Sequence, residues 1–283
     1  MALVGLIILS LLVLAVVCAG KIMPFSPEEP DLSNMLAAPS LQHLLGTDEL
    51  GRDLLTRALH GGRVSLLVGV FSMLVAITVG TLVGAVAGYF GGAIDNLLMR
   101  VTDFALAFPR IFLLILFAIV FMRPPFSANP IIVFIFGTLY KMPIARVVVV
   151  IGVLGWMEVA RLVRGSFLET RNLQYVESAR VLGGGTPRIM FRHILPNALG
   201  PIIVAASLGV ADAIISESGL SFLGLGIQPP TATWGNLLKN ALDQIFAAPW
   251  TAIVPGLMIF LTVLSINYIG DGLRDAFDPR RIP

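Results

Sequence analysis

Residues 64–94 read VSLLVGVFSMLVAITVGTLVGAVAGYFGGAI and contain no charged side chain. A helix needs about 20 apolar residues to cross the hydrocarbon core of a bilayer, and this stretch is longer than that. We therefore predict that it spans a membrane and that the fold is built around segments of this kind.

The composition of the whole chain agrees with this prediction. Hydrophobic residues make up 57% of the chain and charged residues only 13%, which lies outside the range of soluble proteins and excludes disorder, collagen or a coiled coil. The fold class predicted from these segments is an all-α integral membrane protein with six transmembrane helices. The predicted spans are residues 2–20, 64–94, 104–122, 144–163, 193–211 and beyond, and 244–270.

The distribution of basic residues gives an expected topology. Residues 131–140 are apolar but too few to cross, so we predict a re-entrant or interfacial piece there. With both termini in the cytoplasm, the cytoplasmic loops and tail hold eleven of the nineteen Lys and Arg, in agreement with the positive-inside tendency. No Lys or Arg precedes the first apolar run, so we expect an uncleaved span rather than a signal peptide.

These expectations divide the chain into three parts. Residues 1–22 hold the first transmembrane helix, residues 23–63 an extracytoplasmic segment, and residues 64–283 a transmembrane core. A cytoplasmic loop at about residues 169–197 lies within that core.

The cytoplasmic loop carries the most informative pattern, NLQYVESARVLGGGTPRIMFRHILPN at residues 172–197. Asn172 is a good N-cap, and the glycine run after it favours a left-handed helix end. Thr186 and Pro187 are typical of a second helix start, and Pro196 of its end. The pattern predicts two helices joined by a glycine turn, which by itself is equally typical of an ordinary solvated hairpin.

The spacing within this loop resembles the E-A-A-x-x-x-G loop, ending in I-x-L-P, of binding-protein-dependent ABC importer permeases. Glu177, Ala179, Gly183 and Pro196 match it, whereas Ser178 replaces the first Ala of the motif and His193 stands in place of its Ile. In that family the loop docks on the ATPase subunit. The residues that the resemblance assigns to coupling are Glu177, Ser178, Ala179, Arg180, Gly183, Pro187, Arg188, Leu195 and Pro196.

Three more segments narrow the resemblance. They are GTDELGRD at residues 46–53, LSFLGLGIQPP at residues 220–230 and IGDGLRDAFDPR at residues 269–280. Together with the loop they are similar to the second permease subunit of the dipeptide, oligopeptide and nickel importers. Residues 123–146 form a longer outer segment than is usual in that group.

The resemblance implies a type I ABC importer permease in a prokaryotic inner membrane, forming half of a pathway for small peptides. A nickel or other small-solute importer of the same group is the alternative. The implied partners are a homologous second permease, two ABC ATPase subunits that bind ATP and Mg, an extracytoplasmic binding protein and membrane lipid.

Two further groups of residues are candidates for specific roles. Gly80, Gly84 and Gly88 repeat at four-residue spacing, which favours close helix packing within the chain or against a partner. Asp212 lies about 24 Å along a helix that starts near Pro196, in the outer third of the hydrocarbon, and we expect it to face the pathway, another subunit or water. Glu217 is a second candidate pathway residue and is expected near the outer interface, where its burial is not required.

Other function classes find little support. The chain has no G-x-x-x-x-G-K-[ST] sequence for its own ATP site and no H-E-x-x-H or G-x-S-x-G sequence, so we expect no catalytic residue. His43, His60 and His193 lack metal-ligand spacing, so no metal site is expected. An ion-coupled transporter remains a weaker alternative because Asp212 is the only acid well inside a span. The net charge of +2 gives no sign of a nucleic-acid partner.

Overall fold

A computed structural model describes residues 1–123 and 137–277, and the regular structure in these ranges is helical. Residues 131–136, which form most of the predicted interfacial piece, and the C-terminal residues 278–283 lie outside the description. The helices are α1 (Ala2–Ile22), α2 (Leu54–Phe90), α3 (Gly92–Leu106), α4 (Arg110–Met122), α5 (Pro143–Thr170), α6 (Gln174–Val181), α7 (Thr186–Phe222), α8 (Trp234–Ala241) and α9 (Trp250–Phe277).

Five of these helices, α1, α2, α5, α7 and α9, are long and apolar enough to cross a membrane. The third predicted span, residues 104–122, is not one straight helix, because it contains a bend of 91° between α3 and α4. Neither helix is a candidate span alone, but the two together are one. Pro109 explains the break, since it disfavours helical geometry in the residue before it and has no N–H to donate. Counting the broken pair as one span gives the six predicted.

Helix α2 begins at Leu54 rather than at residue 64, so it includes residues that we had assigned to the extracytoplasmic segment. Asp53 caps it, accepting a hydrogen bond of 2.8 Å from the Thr56 N–H. The charged residues of this first part of α2 have partners. Arg57 pairs with Asp48, and the guanidinium of Arg63 donates to carbonyl oxygens near the end of α1.

Residues 46–53 form a compact turn beside the starts of α2 and α9. The Asp48 carboxylate accepts a hydrogen bond of 2.8 Å from Arg52 Nε. Asn240 Nδ2 donates to Glu49 Oε1 at 3.1 Å, and Trp250 Nε1 donates to the Thr47 carbonyl at 3.3 Å. This motif therefore connects the starts of α2 and α9 and the end of α8.

The α2–α5 contact is made through glycine. A Cβ added at Gly80 would lie 2.6 Å from the Trp156 carbonyl oxygen and from Val159 Cβ. A Cβ at Gly88 would meet Phe167 Cβ at 2.6 Å, and one at Gly84 would contact the Ala160 carbonyl. The three repeated glycines thus face α5 of the same chain, where the two backbones touch.

We predict that Gly80→Ala destabilises the protein, because its methyl group has no room against the backbone of α5. Overpacking of this kind costs about 1–3 kcal/mol. The matched control is Gly165→Ala on α5, where an added Cβ meets nothing within 4 Å and the lower helix cost of Ala should raise stability slightly. Thermal unfolding of the purified protein in detergent measures both. Equal midpoints for the two variants would contradict the proposed close contact.

Candidate functional site

Helix α6 and the glycine run after it form the centre of the predicted coupling loop. Gly183 has φ +83°, the left-handed conformation expected of this run. The Gly183 N–H donates to the Arg180 carbonyl and the Gly184 N–H to the Ala179 carbonyl, both at 3.0 Å. These two bonds make a Schellman helix end, which fixes the direction in which the chain leaves α6.

The predicted helix boundaries in this loop are wrong at three positions. Leu173, not Asn172, precedes the first residue of α6, and no side chain caps it. Gly185 takes the N-cap position of α7, so Thr186 is its first residue. Pro196 does not end the second helix, which continues to Phe222.

A π-helical turn at Ile189–Ile194 explains how α7 passes through Pro196. A proline ring crowds the carbonyl four residues earlier and removes one backbone donor. In the wider turn the Leu195 N–H donates to the Met190 carbonyl, five residues back. This leaves room for the ring, so the second half of the loop, from Thr186 onward, and the long apolar part of α7 are one continuous helix.

The loop is attached to three spanning helices. Val176 of α6 is fully buried in a cluster that includes Phe167 of α5 and Ile194 of α7. Arg171 Nη1 donates to the Gly88 carbonyl at 2.9 Å, which satisfies an open acceptor at the end of α2. Movement of α6 would therefore move the adjacent ends of α2, α5 and α7.

The opposite face of α6 is exposed. Val181 and Leu182 are 88% and 87% exposed, and with Glu177 and Ser178 they border a shallow depression. Two adjacent apolar side chains at the tip of a projecting turn are typical of a surface that a partner covers. Of the other predicted coupling residues, the exposed ones are Arg180, Gly183, Pro187, Arg188 and Pro196, and the half-buried ones are Ala179 and Leu195.

A second feature of the structure is a cavity of about 330 Å³ that is bordered by α2, α5, α7 and the start of α4, and Asp212 lines it. Its carboxylate is about half exposed and forms an ion pair with Arg110, the first residue of α4. Glu158 of α5 borders the same cavity. Ser72, halfway along α2, borders the same cavity as Asp212. The depth of Asp212 in the membrane stays a prediction.

The sequence did not identify Arg110 as a functional candidate, because it looked like an interruption near the end of an apolar run. The signal that could have found it is Pro109. A proline inside an apolar run predicts a helix break, and a charged residue placed directly after such a break can point into a cavity instead of into lipid.

Glu217 does not share the Asp212 cavity. It is fully buried, although the expected position near the interface did not require burial. Its carboxylate accepts hydrogen bonds from Ser65 Oγ at 2.9 Å and from Ser221 Oγ at 2.7 Å, and the Ser65 hydroxyl also accepts from the Trp234 N–H at 3.3 Å. Glu217 therefore joins α7 to α2 and α8.

Two of the three histidines are hydrogen-bonded to neighbouring parts of the chain. His43 Nδ1 is 3.0 Å from Asp53 Oδ2, and His60 Nδ1 is 2.9 Å from the Thr56 carbonyl oxygen. Across residues 1–123 and 137–277, no three His, Cys, Asp or Glu side chains are grouped as metal ligands would be.

Relatives with known names cover nearly the whole chain. An oligopeptide transport system permease protein, OppC of Haemophilus influenzae, is 41% identical over 99% of this chain and 84% of the relative. A dipeptide transport system permease protein, DppC of Alkalihalophilus pseudofirmus, is 42% identical over 99% of this chain and 86% of the relative. A di/tripeptide transport system permease protein, DppC of Pseudomonas aeruginosa, is 40% identical over 99% of this chain and 88% of the relative.

A solved structure shares the fold. A chain in the inward-facing MetNI methionine ABC transporter superposes with a TM-score of 0.56 at 19% identity, covering 79% of this chain and 96% of that one. The fold is that of a type I ABC importer permease, and the protein is a multi-pass membrane protein. Residues 80–283 match the family described as binding-protein-dependent transport system inner membrane component. The chain belongs to this family of transport permeases.

Proposed function

We propose that this protein is the permease subunit of an ATP-driven importer of small peptides and forms half of the translocation pathway. The observation that carries the proposal is the α6 loop, whose apolar tip is exposed while its other face is fixed to three spanning helices. The relatives described above are named for oligopeptides and dipeptides, which favours peptides over nickel or another small solute.

The proposed partners follow from what the chain has and lacks. The sequence has no phosphate-binding loop, so two ABC ATPase subunits would bind ATP and Mg and receive the α6 loop. A homologous second permease would supply the other half of the pathway. An extracytoplasmic binding protein would deliver the peptide, and this chain would catalyse no bond chemistry.

Coupling in this proposal is mechanical. The ATPase pair closes on ATP and displaces α6, whose buried Val176 and neighbouring Arg171 transmit the displacement to α5 and α2. The continuous helix from Thr186 to Phe222 carries the same displacement past Asp212. Access to the pathway would then alternate between the two faces of the membrane.

The α6 loop would lie in the cytoplasm, with both termini on the same side of a prokaryotic inner membrane. This orientation places the six Arg of residues 161–192 inside. The turn at residues 46–53 and helix α8 would face the outside, where a binding protein docks.

We predict that Gly183→Val abolishes peptide transport while the protein still inserts, because a β-branched residue is strained at φ +83°. The left-handed conformation costs such a residue about 1–2 kcal/mol. Gly185→Val is the matched control. Its backbone is extended and an added Cβ there meets nothing within 4 Å, so transport should persist. Peptide-stimulated ATP hydrolysis by the reconstituted complex measures the difference.

Glu177→Lys should have the same effect through charge. It inverts the sign of an exposed side chain on the docking face without touching the buried Val176. We expect stimulated ATP hydrolysis to fall to the basal rate. Wild-type stimulation in both Glu177→Lys and Gly183→Val would refute the coupling role.

The proposed orientation is tested by cysteine labelling in a Cys18→Ser background. The cysteines are placed at exposed positions, because a buried position such as Asp48 or Asp95 would not be accessible to the reagent. An impermeant maleimide added outside intact cells should modify Leu41→Cys and Lys239→Cys but not Val181→Cys. Labelling of Val181→Cys from outside would show that the orientation is the reverse.

A further inference from the structure

We propose that the cavity bordered by Arg110, Glu158 and Asp212 binds ligands that carry both an ammonium and a carboxylate group, such as peptides with free termini. This inference rests on the proposed function and adds a recognition site within the membrane-spanning part of the chain. Arg110 would bind the carboxylate, and Asp212 with Glu158 would bind the ammonium.

The position of the cavity is the first argument. Ser72, on its α2 side, is halfway along Leu54–Phe90, and Glu158 is close to halfway along Pro143–Thr170. The helix break between α3 and α4 supplies Arg110 at the same level. Charged side chains are costly at the middle of spanning helices and are found there mainly where they face a pathway or a ligand.

The second argument is that the charges are not fully satisfied within the chain. Arg110 pairs with Asp212, yet Arg110 Nε is buried and has no partner among the described residues. The Ser72 hydroxyl is also buried without a partner there. Glu158 is exposed, and no ion pair to it occurs in residues 1–123 and 137–277. The cavity thus presents donors and acceptors of both signs.

The third argument concerns which ligand could replace the internal pair. Separating Arg110 from Asp212 would leave two unpaired charges in an apolar environment, which is unfavourable. A ligand with both charges gives each residue a new partner, whereas a ligand with one charge or none does not. The ion pair therefore selects for ligands of mixed charge.

Protection of a cavity thiol tests the proposal directly. Leu162→Cys, at an exposed position that borders the cavity, is placed in a Cys18→Ser background in the complex of both permeases and both ATPases without the binding protein. Its alkylation by N-ethylmaleimide is followed with and without trialanine at millimolar concentration. At ten times the dissociation constant, we expect trialanine to slow alkylation about tenfold. N-acetyl-trialanine amide, which lacks both charges, should leave the rate unchanged.

Two variants locate the recognition. Arg110→Gln and Asp212→Asn should each abolish protection of the Leu162→Cys thiol. Asp103→Asn is the matched control, since it removes the Arg161–Asp103 ion pair, which lies between α3 and α5 and does not border the cavity. Protection should persist in that control.

Each other outcome overturns the inference. Equal protection by the charged and the blocked peptide would show that charge is not recognised. If protection persists in Arg110→Gln and Asp212→Asn, the ion pair only connects α4 to α7 and does not bind the ligand. A thiol that does not react even without peptide would mean that the partner permease fills the cavity.

Stimulation of ATP hydrolysis by the peptide-loaded binding protein is measured separately on the wild-type complex. Stimulation together with an unprotected thiol would reject only the cavity site. Absence of stimulation would reject the proposed function itself.

Discussion

The direct contact between the backbones of α2 and α5 is the constraint on which the rest of the structure depends. It exists because Gly80, Gly84 and Gly88 present no side chain to α5. The C-terminal end of α5 is thereby fixed beside the C-terminal end of α2, and Arg171, in the short turn before α6, donates to the Gly88 carbonyl. Farther along the same contact, the small Ser72 and Gly155 border the cavity. The α2–α5 contact therefore positions both the loop and the cavity.

The sequence predicted what depends on local properties of the chain. Apolar length is enough to identify five continuous spans, and the glycine run is enough to identify the end of α6, because only glycine adopts φ +83° at little cost. The resemblance to importer permeases, which rested on four separate motifs, agrees with the family and the fold found by comparison.

The features that the sequence missed depend on partners distant in the chain. The second span was predicted only from residue 64, where the charges stop, but α2 begins at Leu54 and its Arg57 pairs with Asp48. Burial of Glu217 was not expected, but Ser65, which is 152 positions away, donates a hydrogen bond to it. The Arg110–Asp212 pair joins residues 102 positions apart. No periodicity or composition reports such pairs, because the cost of burying a charge is decided by the tertiary structure around it.

The two acids of α7 show two ways of holding a carboxylate in an apolar environment, and the contrast bears on mechanism. Glu217 is enclosed and receives donors from two helices, so its role is to hold α7 in place. Asp212 is half exposed, has a cationic partner and borders open space, so its charge is available to a ligand.

Ionisable groups halfway along spanning helices and beside a broken helix would also suit an ion-coupled transporter. Such a transporter would need no soluble partner, however, and the exposed Val181 and Leu182 at the tip of α6 would then have nothing to cover them. The loop therefore favours an ATP-driven mechanism, and we propose that the charged cavity belongs to the substrate pathway of such an importer.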